Sequence, residues 1–361
     1  MNPTQQLQKL GQSLWLDNIT RDLLTSGTLR SYIRELSVTG LTSNPSIFDL
    51  AIKNSHSYDD AIRQKKAKGK SSEGLFFELA IEDLREAADL FAPIHQATGG
   101  SDGWVSLEVS PSLAYDAPGT VEAAIRLHDE AQRHNLFIKI PGTHEGLKAI
   151  EETIFRGVPV NVTLLFSASQ YIAAYDAYLR GVERRIARGL DPMVHSVASM
   201  FISRWDKAVM GRVPRHLEDR LGIAIAKRTY KAYREMLSSP RWQSAAKAGA
   251  LPQRLLWAST GTKDPAASDV LYIKALAAPE TINTIPEKTL LAFAKHGALD
   301  GVMPIDGGDA EDTLAKFAAV YVDVNKLAAD LQCEGAAGFV TAWNDLLCQI
   351  DSPAATLRAA G

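Results

Sequence analysis

Eight short apolar runs recur along the chain, separated by longer stretches with helical periodicity, and this alternation narrows the possible folds more than any other feature. The runs cover residues 13–19, 38–44, 104–110, 136–141, 158–166, 195–201, 254–260 and 281–285. Amphipathic stretches such as 75–91, 120–134, 145–156, 168–188 and 223–237 lie between them. Strands joined by crossover helices pair in parallel, and eight is the number that closes a (β/α) barrel. The expected class is therefore α/β, a (β/α)8 TIM barrel. Residues 314–347 keep a helical period and are expected to cap the barrel from outside. No repeat, Pro-rich linker or low-complexity block divides the sequence, so residues 1–361 read as one barrel domain, with 302–361 a helical C-terminal extension packed on it.

The balance of residues excludes several function classes. A net charge of -3 gives no field that would draw in nucleic acid or an anionic membrane. Residues 63–72 are basic but carry no interleaved aromatics, and a solvated helix end and loop accounts for them. Cys333 and Cys348 have no metal-like spacing and fit a reducing compartment. No secretion-signal pattern or run of about 18 apolar residues occurs, so the expected location is cytoplasmic. None of the histidines has a zinc spacing, and no GxGxxG follows a strand.

Side chains on a strand alternate between faces, and the outer face of a parallel barrel packs against helices. Polar residues at alternate positions should then point inward. Trp15 and Asp17 share one face of the first run, and Thr42 and Asn44 one face of the second. Ser106, Glu108 and Ser110 align in the third, and Lys139 stands between Ile138 and Ile140 in the fourth. Asn161 and Thr163 align in the fifth; Ser199 and Phe201 align in the sixth, with Arg204 just beyond.

Lys139 carries the chemistry. Burial disfavours an ammonium ion and favours the neutral amine, which is a nucleophile toward carbonyls. A lysine snorkelling from a strand end is the plainer alternative. Polar groups converging from six strands favour the first. An amine, two carboxylates, two amides and hydroxyls suit a Schiff-base aldolase acting on a sugar.

The local motifs carry a resemblance. Trp15-Leu-Asp-Asn-Ile-Thr20, Gly40-Leu-Thr-Ser-Asn-Pro-Ser46, Val105-Ser-Leu-Glu-Val-Ser110, Phe137-Ile-Lys-Ile-Pro141, Asn161-Val-Thr-Leu-Leu-Phe-Ser167 and Ala258-Ser-Thr-Gly-Thr-Lys263 together resemble the transaldolase family. That resemblance implies a class I aldolase of the pentose phosphate pathway on an eight-stranded barrel. It implies sugar phosphate substrates and no cofactor or metal, and leaves a monomer or homodimer open.

It also implies roles, each with a structural alternative. Lys139 forms the Schiff base. Asp17 takes the C4 hydroxyl proton; otherwise it caps the helix that follows. Glu108 and Thr163 hold a water for dehydration and hydrolysis of the imine, although Glu108 could simply pair with Lys139. Asn44 and Asn161 bind the dihydroxyacetone portion, assisted by Thr42 and Ser199. As alternatives, Asn44 is a turn residue and Asn161 a hydrogen bond within the barrel. Arg204 binds phosphate, or else pairs with Asp206. The chain departs from the family pattern after the seventh strand, where many members have a second phosphate-binding arginine and this sequence has Lys263. Phe201 and Glu108 favour transfer over the fructose-6-phosphate aldolase type, which releases free dihydroxyacetone and has tyrosine and glutamine there. A non-catalytic sugar-phosphate-binding barrel is the rival from another class. The acidic segment 306–312 reads as a turn plus an acidic first helical turn, and Thr143 as the start of the helix after Lys139.

Overall fold

In the computed structural model, which describes residues 2–352, the eight runs form eight parallel strands. They are β1 (Ser13–Leu16), β2 (Val38–Leu41), β3 (Val105–Glu108), β4 (Leu136–Pro141), β5 (Val160–Leu165), β6 (Ser196–Phe201), β7 (Arg254–Ala258) and β8 (Ile282–Ile285). Hydrogen-bonded order runs β2-β1-β8-β7-β6-β5-β4-β3. The ring closes between its two ends, where Leu41 N donates to Trp104 O at 2.9 Å and Gly103 N to Thr39 O at 3.0 Å. The fold is a (β/α)8 barrel.

Most strands are shorter than their apolar pattern. Asp17, Thr42 and Asn44 were expected within strands but follow them. Alternation of side chains persists into the loops at the barrel rim, whereas ladder pairing ends with the sheet. Asn44 instead caps the helix Pro45–Asn54, its Oδ1 accepting from Ile47 N at 3.1 Å. The expected alternation holds along the barrel axis. Trp15 and Phe137, two positions before Asp17 and Lys139, pack with Trp104 into an aromatic floor; Trp104 stacks on Phe137 at 4.1 Å. A closed barrel thus excludes water below and leaves its polar layer facing the C-terminal mouth.

The C-terminal part is helical, as its periodicity predicts. Residues 314–347 are not one helix but parts of two, Ala310–Ala319 and Val324–Asp351, broken at Tyr321, whose backbone is left-handed at φ 65°. Asp323 starts the second helix by accepting from Asn325 N and Lys326 N. Residues 353–361 of the expected extension lie outside the described residues. The second helix caps the barrel across its mouth: Phe339 reaches the central pocket, Trp343 packs edge-on against Phe76 at 5.0 Å, and Gln349 Nε2 donates to Asp49 at 2.8 Å.

The readings of three helix ends are met. Lys65 lies near the end of helix Asp59–Lys66 and pairs with Glu78 and Glu82. Glu311 and Asp312 open a helix, and Thr143 caps the helix His144–Phe155 by accepting from Gly146 N at 3.0 Å. Among the described residues no helix is long and apolar enough to cross a membrane, and no His/Cys/Asp/Glu group could hold a metal.

Candidate active site

Strand register brings the central groups to one level. Glu108 pairs with Lys139 across β3 and β4, and Lys139 pairs with Asn161 across β4 and β5. Lys139 Nζ is buried, 3.1 Å from Glu108 Oε2, and donates to Ser43 O at 3.0 Å. The Glu108 contact has the distance of an ion pair but not the directionality of a hydrogen bond. Glu108 Oε2 and the buried Thr163 Oγ1 both lack a hydrogen-bond partner among the described residues. Burial pushes the Glu108 carboxyl above its ordinary range, opposed by the positive charge of Lys139.

A pocket of about 130 Å³ opens above this layer, walled by Asp17, Thr42, Asn44, Lys139, Thr163, Ser199, Phe201, Arg204 and Lys263. Nine of the eleven residues singled out in the sequence therefore share one cavity wall. Glu108 and Asn161 are the exceptions, set just behind it. Asn161 is fully buried; its Oδ1 accepts from Ser199 Oγ at 2.7 Å and its Nδ2 donates to Ser106 Oγ at 3.1 Å. The barrel-internal hydrogen bond weighed as its alternative is thus formed.

Asp17 does not cap a helix. Thr20 does that, accepting from Leu23 N at 3.0 Å. Asp17 stays partly open to the pocket and accepts from Thr42 Oγ1 at 3.1 Å. Burial raises its pKa, against the charges of Lys139 and Lys263 and the Thr42 hydrogen bond. A carboxylate held this way is more basic than one in water, as a proton acceptor should be.

Cationic groups gather at the mouth. The Arg204 guanidinium lies 5.2 Å from the Phe201 ring and 5.8 Å from Phe339, and burial lowers its pKa. Arg204 does not pair with Asp206. Lys263, more exposed, is likewise lowered by burial, with Lys207 and Arg204 adding repulsion. The β7 loop carrying Lys263 is fixed by Thr260 Oγ1 donating to Thr284 O at 2.7 Å and by Ser203 Oγ lying 2.9 Å from Ser259 Oγ.

Sequence reasoning missed several wall residues. Leu256, Ala258 and Thr284 follow the same inward parity in β7 and β8 and could have been found by it. Ser259 and Pro286 sit in the loops just past those strands. Phe339 had no local signal at all.

Comparison with known proteins places the chain. The family model described as transaldolase/fructose-6-phosphate aldolase matches residues 14–350. The chain belongs to that family. It is 44% identical over 367 residues to a transaldolase of Arthrobacter sp. (strain FB24), covering 99% of each. A transaldolase of Thiobacillus denitrificans is 44% identical, with 97% of this chain and 100% of that protein covered. One from Neisseria gonorrhoeae is 41% identical, with 95% and 98% covered. Members of this family thus align with the whole barrel and most of the mouth-crossing helix.

Proposed function

We propose that the protein is a transaldolase that moves a dihydroxyacetone unit between sugar phosphates through a Schiff base on Lys139. The observation that carries this is the buried Lys139 amine beside Glu108, under a pocket that Asp17 also walls. Full-length relatives named transaldolase support the same activity.

Lys139 attacks C2 of a ketose phosphate such as sedoheptulose 7-phosphate or fructose 6-phosphate. Loss of water from the carbinolamine gives an iminium. Glu108 and Thr163 manage that water, since each offers a buried oxygen not otherwise hydrogen-bonded. Asp17 takes the C4 hydroxyl proton, the C3–C4 bond breaks, and its electron pair moves into the iminium. The aldose phosphate leaves. The three-carbon enamine remains on Lys139 until glyceraldehyde 3-phosphate or erythrose 4-phosphate accepts it. The protonated imine is the electron sink, so these steps call on protein groups alone. Asn44 and Ser199 face the dihydroxyacetone portion. Arg204 and Lys263 take the phosphate, guanidinium giving the bidentate contact and ammonium a point charge. Such an enzyme serves the pentose phosphate pathway, and free Cys333 and Cys348 suit the cytoplasm.

Borohydride added with fructose 6-phosphate should leave a reduced dihydroxyacetone adduct on Lys139, read by peptide mass spectrometry. An adduct on another lysine, or none, removes the mechanism. Transfer to erythrose 4-phosphate should exceed release of free dihydroxyacetone.

A further inference from the structure

Among the described residues Leu164 is the only strand residue with a left-handed backbone, at φ 60°. A leucine adopts that conformation only where its surroundings hold it there. The β5–β6 ladder passes from Val162 opposite Ala198 to Leu165 opposite Met200, so β5 carries one extra residue, a bulge. Bulges re-aim side chains, and this one directly follows Thr163.

One side chain holds the bulge from outside the barrel. Gln332, on the mouth-crossing helix, donates from Nε2 to Leu164 O at 2.9 Å and to Gly142 O at 3.0 Å. Gly142 N in turn donates to Thr163 O at 2.7 Å. A single amide therefore ties the end of β4, just past Lys139, to the bulge of β5. Helix and bulge approach so closely that a Cβ on Gly335 would lie 2.9 Å from Leu164 Cδ2.

We propose that Gln332 is a positioning residue for the water-handling step: by fixing the Leu164 bulge it sets the direction of the Thr163 hydroxyl relative to Glu108 and Lys139. This rests on the Schiff-base reading above. An amide that merely anchored the helix would affect stability but not the rate of imine formation.

Three variants separate the roles. Gln332→Met keeps length and removes both donors. Gln332→Lys restores donors at similar reach. Gln349→Leu cuts the amide contact to Asp49 at the far end of the same helix. Each is mixed with fructose 6-phosphate and quenched with borohydride over time, alongside steady-state kinetics and Tm. In Gln332→Met the adduct should appear about tenfold more slowly and kcat fall by a similar factor, with KM within about twofold, because misdirected groups lose rate rather than binding. Gln332→Lys should recover most of the rate. Gln349→Leu should lower Tm and leave the adduct rate unchanged. The proposal is overturned if Gln332→Met keeps the original adduct rate, slows no more than Gln349→Leu, or raises KM alone. No adduct in the unaltered protein overturns the Schiff-base reading as well; an adduct there with an unchanged rate in Gln332→Met overturns only the role of Gln332.

Discussion

Arg204 and Asp206 stand two positions apart at the start of helix Ser203–Val209, yet they serve different structures. Arg204 faces the pocket between Phe201 and Phe339. Asp206 turns the other way, accepting from Leu221 N at 2.8 Å, from Gly222 N, and from Tyr272 OH at 2.7 Å. It thereby anchors the start of helix Leu221–Leu237 behind Arg204.

Burial raises Asp206 from 3.8 to about 6. The folded protein therefore binds more protons than the unfolded chain between these values, and stability is lost as pH rises through that window. Asp206→Asn removes this loss while its oxygen can still accept from the helix start. Between pH 4 and 6 the unfolding free energy of Asp206→Asn should gain on that of the unaltered protein toward a difference of about 2–3 kcal/mol, read as a widening gap in Tm. Parallel Tm curves would refute this. KM for sugar phosphate should be unchanged, since Arg204 does not depend on Asp206.

His195 has the opposite sign. Packed 4.8 Å from Trp104, it is lowered from 6.5 to about 4, mainly by burial and further by His95 and Arg254. The unfolded chain binds the extra proton here, so stability falls as pH drops from 6.5 toward 4. His195→Phe should flatten the acid side of the Tm curve without touching its upper part. An unchanged acid slope would mean that His195 is not held neutral.

Removing the guanidinium tests the phosphate-binding role proposed for Arg204. Arg204→Ala should raise KM for fructose 6-phosphate by roughly a hundredfold, the scale of a charge-assisted hydrogen-bond pair. Arg204→Lys should recover only part of this, because ammonium lacks the planar fork and its stacking on Phe201 and Phe339. Any turnover of unphosphorylated fructose should be the same in both variants as in the unaltered protein. Equal losses for both sugars would point to collapse of the pocket instead.

Asp17 and Glu108 both have pKa values raised by burial, so activity should fall on the acid side with a midpoint above the ordinary carboxylate range. Asp17→Asn should lose about 10²–10⁴-fold in kcat while still forming the Lys139 adduct, because proton removal follows imine formation. A pH profile flat down to the ordinary carboxylate range would contradict the assignment.

Much of the site was legible because two periods coincide. Side chains alternate every second residue, and neighbouring strands keep register, so Glu108, Lys139 and Asn161 reach one level. Asp17, Thr42 and Asn44 were legible as residues but not as loop positions, since pattern continues where pairing stops. Arg204 was found, whereas its separation from Asp206 was not: spacing on a short helix says nothing about the distant backbone amides that claim a carboxylate. Gln332 and Phe339 were invisible. A helical period marks which face of a helix is buried, but its partner, some 170 residues earlier in β5, is set by tertiary packing.

Gly335 offers a test of that packing in which stability and function separate. A Cβ there would lie 2.9 Å from Leu164 Cδ2 and 3.1 Å from Arg204 Nη1, both ends of side chains that can shift. Within the long helix, alanine gains about 1 kcal/mol over glycine in intrinsic propensity. Gly335→Ala should therefore leave Tm level or slightly higher. The displaced guanidinium should nonetheless raise KM for sugar phosphates several-fold, with kcat and the rate of Lys139 adduct formation less affected. A lower Tm with unchanged KM would show that the helix, rather than Arg204, yields to the added methyl.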